Sequence, residues 1–237
     1  MTALITLSHG SRHADAQRGI ERLTAAAARL AGVQGFSAHL DFTAPDLTQA
    51  VADARWAGHT RAVVVPLLFT RAFHATHDVP AALASASGNG VELTLADGLG
   101  QGGDIARVLA ARLHADGPDC DQAILYPVGT SHAAAAHATR ELGQHVAELT
   151  GVPVTVVPAT GRGPLIGTSG ITEVARMCCR THLLPLFVTT GLLLERALAA
   201  LPEGCTTSAP LETDLAAIVA ARFRSAALIK ETDPCFA

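Results

Sequence analysis

The stretch ALITLSHGSR at residues 3–12 and the stretch QAILYPVGTS at residues 122–131 both join an apolar run to a turn that contains glycine. A long Ala-rich segment of helical period follows each of them, and short apolar runs then alternate with helical segments along the chain. The further apolar runs lie at residues 36–42, 61–69, 152–159 and 181–188. Strand–helix alternation of this kind predicts an α/β protein built from open parallel sheets flanked by helices.

The two stretches also mark an internal duplication. Gly10 and Pro66 are 56 positions apart (66 − 10), as are Gly129 and Pro185 (185 − 129), so these landmarks recur at an offset of 119. Gly and Pro fix backbone geometry, and a constant register of such residues is typical of a repeat. Chance self-alignment of Ala- and Leu-rich sequence is the weaker explanation. We therefore expect two similar domains, residues 1–117 and 118–237, each with its own sheet.

The composition excludes several classes of function. Of the 237 residues 49% are hydrophobic and 16% charged, and the formal net charge is −4, so no basic nucleic-acid-binding surface is expected. No run reaches the roughly 18 apolar residues of a membrane span. The first residues lack a basic leader, so we expect no membrane association and a cytoplasmic location. Five cysteines without a C-x-x-C pair indicate free thiols rather than disulfides or a zinc ribbon.

Candidate metal ligands follow the predicted strands of the first half. His9 comes after the first strand, Asp41 ends the second, and His74 lies in the segment after the third. Ligands of open parallel sheets bind outside the carboxyl ends of the strands. Two imidazoles and a carboxylate suit Fe²⁺, Co²⁺, Ni²⁺ or Zn²⁺ and leave positions open for exchange. A single histidine at a strand end is more often a hydrogen-bonded structural group, so the shared edge is what favours a metal site.

Short motifs of the first half resemble those of the sirohydrochlorin chelatase family, whose members insert cobalt or iron into a tetrapyrrole. They are S-H-G-S-R at residues 8–12, a proline four residues after Asp41, P-L-L-F at 66–69, F-H at 73–74 and D-V-P at 78–80. The resemblance covers most of residues 1–115 and, more weakly, residues 120–228, as in the long two-domain form of the family. It implies a chelatase-like fold in each half. Because short members form homodimers of a single such unit, it also implies that this chain is a monomer.

The resemblance implies roles for individual residues. His9 and His74 would be the catalytic groups and would bind the metal, and Asp41 would assist as a further metal ligand. Glu is more usual than Asp at that position, which makes the role of Asp41 less certain. His77 has no firm counterpart in the family, so a metal-entry group and a loop-surface histidine are both open for it.

The activity implied by the resemblance is ATP-independent insertion of Fe²⁺, Co²⁺ or Ni²⁺ into sirohydrochlorin, in siroheme or cobalamin biosynthesis, with no permanently bound cofactor. The sequence agrees in lacking a G-x-x-x-x-G-K-[ST] nucleotide loop. An imidazole can both hold the ion and accept pyrrole protons near neutral pH. The carboxylates of sirohydrochlorin need cationic and hydroxyl partners, and Ser11, Arg12 and Arg71 stand on the same loops as the histidines. A solvated surface charge is the alternative for each arginine.

The second half keeps the repeat and loses the candidate ligands. At the offset of 119, Val128 corresponds to His9 and Leu193 to His74, and neither side chain binds a metal. We therefore expect one active site, in the first half, with the second half shaping the other wall of the cleft. The histidines of the second half are expected to be surface or helix residues: His132, His137, His145 and His182.

Two other functions stay open. A non-catalytic carrier of metal or tetrapyrrole could keep the same fold and the same histidines. A chelatase of this fold could also act on another tetrapyrrole, such as coproporphyrin. Many turnovers with sirohydrochlorin would separate the leading hypothesis from the first, and competition between macrocycles would separate it from the second. The physiological metal is left undecided, because all the candidate ions accept nitrogen ligands.

Overall fold

A computed structural model describes the backbone of residues 1–70 and 77–231 and the side chains of these residues up to 228. It contains two sheets of four parallel strands, with the same strand order in both. The expectation of an α/β fold with two similar open sheets flanked by helices is confirmed. Within the described residues, no helix combines the length and the apolar character needed to cross a bilayer.

In chain order the elements are β1 (Thr2–Ser8), α1 (Ala14–Ala31), β2 (Gly35–His39), α2 (Leu47–Trp56), β3 (Arg61–Pro66), α3 (Val79–Ala86), β4 (Glu92–Leu95), α4 (Gly103–Asp116), β5 (Gln122–Pro127), α5 (Ala133–Thr150), β6 (Val154–Val156), α6 (Gly167–Met177), β7 (Thr181–Leu186), α7 (Leu192–Ala199), β8 (Thr206–Thr207), a 3-10 turn (Glu212–Leu215) and α8 (Ala216–Glu231). The first sheet has the order β2-β1-β3-β4 and the second the order β6-β5-β7-β8.

The chain divides into two compact units that differ from the expected halves. The first unit comprises residues 1–100 and the segment from Glu212 onward, and the second comprises Gln101–Leu211. Helix α4 therefore belongs to the second unit, where it contacts α5 and β7, and helix α8 belongs to the first, where it contacts α1 and β3. A boundary at 117/118 separates the sequence repeats, but it does not separate the compact units. The reason is tertiary. Helix α4, from the first sequence repeat, buries its apolar side chains in the second unit, and helix α8, from the second repeat, buries its own in the first.

The core of the first unit forms around β1, which lies with β3 at the centre of the first sheet. Leu4, Ile5 and Leu7 are fully buried, as a strand covered on both faces requires. Helix α1 begins where the Nδ1 of His13 accepts a hydrogen bond from the backbone N–H of Asp15 (3.1 Å). It ends at Gly32, whose φ of +72° gives the left-handed cap that closes a helix.

The second unit repeats this arrangement with different residues. Ile124 and Leu125 of β5 are fully buried, and Tyr126 stacks on Phe187 with ring centroids 6.0 Å apart. Helix α5 has the bounds that α1 would have at the offset of 119 (14 + 119 = 133, 31 + 119 = 150), which supports the duplication. In both sheets, therefore, a turn that contains glycine (Gly10 or Gly129) follows the carboxyl end of a central strand.

Candidate active site

His9 and Asp41 lie side by side at the carboxyl ends of β1 and β2. The two strands pair in parallel with Ser8 opposite His39. The pairing continues beyond the strands, because Leu40 donates its N–H to the carbonyl of Ser8 (2.9 Å) and Asp41 donates its N–H to the carbonyl of His9 (3.0 Å). The chain thus brings these two predicted ligands to one edge of the first sheet.

Gly10 makes this close approach possible. Its φ is +92°, in the left-handed region, and a Cβ built there would lie 1.7 Å from the carbonyl oxygen of Asp41. Only glycine fits such a position, because both the backbone conformation and the space exclude a side chain. The turn after His9 is therefore fixed by its contact with the loop that carries Asp41.

Ser11 and Thr43 tie the same two loops together. Thr43 accepts a hydrogen bond from the backbone N–H of Ser11 at its Oγ1 (3.2 Å) and donates its hydroxyl to the carbonyl of Ser11 (2.7 Å). The hydroxyl oxygen of Ser11 accepts from the backbone N–H of His13 (3.1 Å). The predicted substrate-binding residue Ser11 thus also holds the start of α1 in place, and its O–H can still donate to a ligand.

Phe42 belongs to the site and was not singled out by the sequence. Its ring meets the ring of His9 edge to face, with centroids 5.7 Å apart, and the guanidinium carbon of Arg12 lies 4.8 Å from the centre of the same ring. Phe42 has a φ of +62° and is 50% exposed, which is unusual for a large apolar residue. The sequence feature that could have identified Phe42 is its position directly after Asp41. Phe42 orients both His9 and Arg12.

His39 is a second group that sequence reasoning missed. It is buried, and its Nδ1 lies 2.7 Å from the Oγ of Ser8, which in turn accepts the backbone N–H of Gly10 (3.2 Å). Burial lowers the pKa of His39 below its ordinary value of 6.5, and the charge of Glu21 opposes that shift. The imidazole is therefore kept neutral next to the turn that carries His9.

Two of the predicted site residues, His74 and Arg71, lie outside the described residues. His77 is exposed, and Asp78 directly precedes α3. A cavity of about 480 Å³ is lined by residues at the ends of β3 and β4, among them Pro66, Thr70 and Asp97. Among the residues that the structure describes, no three His, Cys, Asp or Glu side chains are grouped so as to hold a metal ion.

The second unit keeps the backbone of this site without its ligands. Thr160 donates its N–H to the carbonyl of Val128 (3.0 Å), and a Cβ on Gly129 would lie 2.1 Å from the carbonyl oxygen of Thr160. These contacts match those of His9, Gly10 and Asp41 at the offset of 119. Val128 stands at the position that corresponds to His9, and its side chain has no atom that can bind a metal.

The helices that follow the third strand of each half do not keep the offset of 119 on which the correspondence of His74 with Leu193 rests. From Pro66 to the start of α3 at Val79 the chain takes 13 positions (79 − 66), but from Pro185 to the start of α7 at Leu192 it takes 7 (192 − 185). The offset therefore falls from 119 to 113 after β7, because the loop is six positions shorter. His74 lies outside the described residues, so its correspondence with Leu193 stays a prediction.

The expectation that His182 is a surface or helix residue is wrong. His182 is fully buried in β7, where its Nδ1 lies 2.7 Å from the Oγ1 of Thr206 and its Nε2 lies 2.9 Å from the Oγ of Ser208. Its two hydroxyl partners on and beside β8 satisfy both ring nitrogens, which is why it can be buried. The other three are exposed, as expected, at the start or on the surface of α5: His132, His137 and His145.

The model of the CbiX family matches residues 3–116 of the chain. The SirB structure from Bacillus subtilis with Fe³⁺ is 21% identical, with a TM-score of 0.78 and coverage of 98% of each chain. The sirohydrochlorin chelatase SirB from B. subtilis subspecies spizizenii in complex with cobalt is 20% identical, with a TM-score of 0.74 and coverage of 98% of this chain and 97% of that one. CbiX, described as the terminal enzyme of siroheme biosynthesis in denitrifying bacteria, is 19% identical, with a TM-score of 0.67 and coverage of 95% and 99%. No curated protein sequence matches.

Proposed function

We propose that this chain is a sirohydrochlorin metallochelatase of the CbiX family, whose model matches residues 3–116, just under half of the chain. It inserts Fe²⁺ or Co²⁺ into sirohydrochlorin without ATP, in siroheme or cobalamin biosynthesis. The metal is a substrate and not a resident cofactor. Solved structures of the same fold are described as a sirohydrochlorin chelatase in complex with cobalt and as SirB with Fe³⁺, and the substrate and the two metals named there support the proposal.

The observation that carries the proposal is the backbone hydrogen bond that places His9 next to Asp41 at the carboxyl edge of the first sheet. The carbonyl of His9 accepts the N–H of Asp41, and Gly10 leaves no side chain between the two loops. This is the edge at which open parallel sheets bind ligands. These backbone contacts hold the residue with the imidazole and the residue with the carboxylate next to each other at that edge.

Metal insertion needs two events: the ion sheds water, and the macrocycle loses two pyrrole N–H protons. An imidazole, with an ordinary pKa of about 6.5, can bind a metal or accept a proton near neutral pH. We assign these roles to His9 and, from the family resemblance, to His74. Asp41 offsets the positive charge of the ion and of any protonated imidazole.

The substrate carboxylates find their partners on the same loop. Arg12 is exposed and stacked on Phe42, so its guanidinium is oriented while its N–H groups stay accessible. Ser11 adds a hydroxyl, and Arg71 is assigned from its position in the sequence. Arg12 is the residue of this group whose geometry best supports carboxylate binding.

The experiment is an absorbance assay with metal-free sirohydrochlorin and Co²⁺ or Fe²⁺. The enzyme converts many equivalents, whereas a carrier changes the spectrum only in proportion to protein. We expect His9→Ala and His74→Ala each to lower the insertion rate by about 100-fold or more, since general-base groups contribute at least that much. His132→Ala is the matched control and should keep the rate. Equal losses in all three variants, or conversion that stops at one equivalent, would refute the assignment.

Two further expectations belong to the proposal. A single chain carries the duplicated fold, so we propose a monomer with one active site. We also propose a cytoplasmic location, which rests on the sequence alone.

A further inference from the structure

The second unit contains a groove beside its edge strand. Its volume is about 430 Å³, and it is lined by one face of α5, by β6 and by the turns that follow β5 and β6. Cavities of roughly 300–1,000 Å³ are the usual size for small-molecule sites. The polar and charged residues of the lining are Thr130, Thr139, Arg140, Gln144, Thr155, Thr160 and Arg162.

The charge of the groove is entirely positive. Arg140 on α5 and Arg162 after β6 both line it, and the lining contains no carboxylate. Neither guanidinium has a hydrogen bond or an ion pair to any residue that the structure describes, whereas Arg176 and Arg180 in the same unit are paired with acids. Both arginines are exposed and line the same groove, so a bound anion can pair with each of them.

The repeat shows that the fold does not require these cations. At the offset of 119, Arg140 corresponds to Glu21 (140 − 119) and Arg162 to Thr43 (162 − 119). Both pairs lie before the point where the register shifts, and α1 and α5 share the same bounds at that offset. The first unit thus forms the same elements with an acid and a hydroxyl, so the two arginines are a property of the second unit alone.

The other polar groups leave the arginines as the principal donors. The hydroxyl oxygens of Thr139 and Thr155 accept hydrogen bonds from Gln101 (2.8 Å) and Gln122 (2.9 Å). Thr160 donates its hydroxyl to the carbonyl of Val128 (2.8 Å). The charged donors that remain to meet a ligand are the two planar guanidinium groups, whose fork of N–H donors matches a carboxylate in shape and charge, and the side-chain amide of Gln144 lines the same groove.

We propose that this groove binds an organic anion with at least two carboxylates, one to each of Arg140 and Arg162. Two sources share this chemistry: the carboxylate side chains of the tetrapyrrole, and a free small polycarboxylate. Only the first source rests on the proposed function. All the lining residues of the groove belong to the second unit, and neither His9 nor Asp41 is among them.

The test is calorimetric titration of the full chain with tricarballylate and, separately, with inorganic phosphate. We expect tricarballylate to bind the wild type, and Arg140→Gln and Arg162→Gln each to weaken it about tenfold, the usual effect of losing a hydrogen bond to a charged group. Arg176→Gln, which removes an exposed arginine outside the groove, should leave binding unchanged, and thermal unfolding would confirm that all variants fold. Absence of binding to the wild type, tighter binding of phosphate than of tricarballylate, or equal weakening in Arg176→Gln would overturn the proposal.

The insertion assay on the same variants identifies the source. A raised KM for sirohydrochlorin at unchanged kcat in Arg140→Gln and Arg162→Gln would assign the groove to the tetrapyrrole carboxylates. An unchanged KM, with tricarballylate binding lost, would assign it to a free polycarboxylate. If the wild type inserts no metal at all, the proposed function fails, while the titration with tricarballylate still decides the groove.

Discussion

At Gly10 one missing side chain decides whether two loops can meet. The carbonyl of Asp41 occupies the space in which a Cβ of residue 10 would stand, and the positive φ adds a second reason for glycine. The same contact recurs at Gly129 and Thr160, where no metal ligand is present. The glycine is therefore needed by the fold of this turn, and the chemistry of His9 depends on that turn.

We predict that Gly10→Ala destabilises the chain by about 3 kcal/mol or more, because it combines a left-handed backbone with a steric clash. Gly32→Ala is the matched control, since Gly32 also has a positive φ but has open space where its Cβ would stand. That variant should cost only about 1 kcal/mol. Urea unfolding of both proteins measures the difference, and similar losses in the two would show that the clash with Asp41 is relieved at little cost.

At the scale of single elements, the apolar runs predicted the central strands well. The run at residues 61–69 contains β3, the run at 181–188 contains β7, and the Ala-rich segment after His13 is helix α1. These elements are set by local hydrophobic pattern and by caps, both of which the sequence displays. His39, His182 and Phe42 could not be placed in the same way, because their burial or exposure depends on partners far away in the chain.

Strand β7 provides a pH-sensitive element. Burial lowers the pKa of His182 below its ordinary value of 6.5, and the charge of Asp116 opposes the shift. The ring is held by the hydroxyls of Thr206 and Ser208 in a buried strand, so protonation would place a positive charge where water does not solvate it. His39 in the first unit has a pKa shifted in the same direction by the same cause.

We predict that the free energy of unfolding falls as the pH decreases below 6.5, the ordinary pKa of these histidines. The unfolded chain then takes up protons that the folded chain does not bind, so acid favours unfolding and the contribution is fully present only above that pH. His182→Gln should reduce the pH dependence, whereas His145→Gln, at an exposed position of α5, should not. Urea unfolding at a series of pH values measures the slope; an unchanged slope in His182→Gln would show that its protonation is not linked to folding.

At the scale of the whole molecule, the repeat and the compact units are different divisions of the same chain. The repeat follows from the register of Gly10, Pro66 and their partners and is visible in the sequence. The assignment of α4 and α8 is not visible there, because the apolar residues of either helix could cover either sheet. Ile105, Leu109 and Leu113 of α4 are buried in the second unit, and Val219 of α8 is buried in the first.

The compact units predict which fragments fold alone. Residues 101–211 contain a complete second unit, with α4 covering α5 and β7. Residues 118–237 follow the sequence repeat, but they lack α4 and carry α8, whose contacts are with α1 and β3. We expect the first fragment to unfold cooperatively in urea and the second to do so weakly or not at all, because its sheet is left with an uncovered apolar face. Circular dichroism during urea unfolding makes the comparison at equal protein concentration. Cooperative unfolding of residues 118–237 together with its absence in residues 101–211 would instead make the sequence repeat the folding unit.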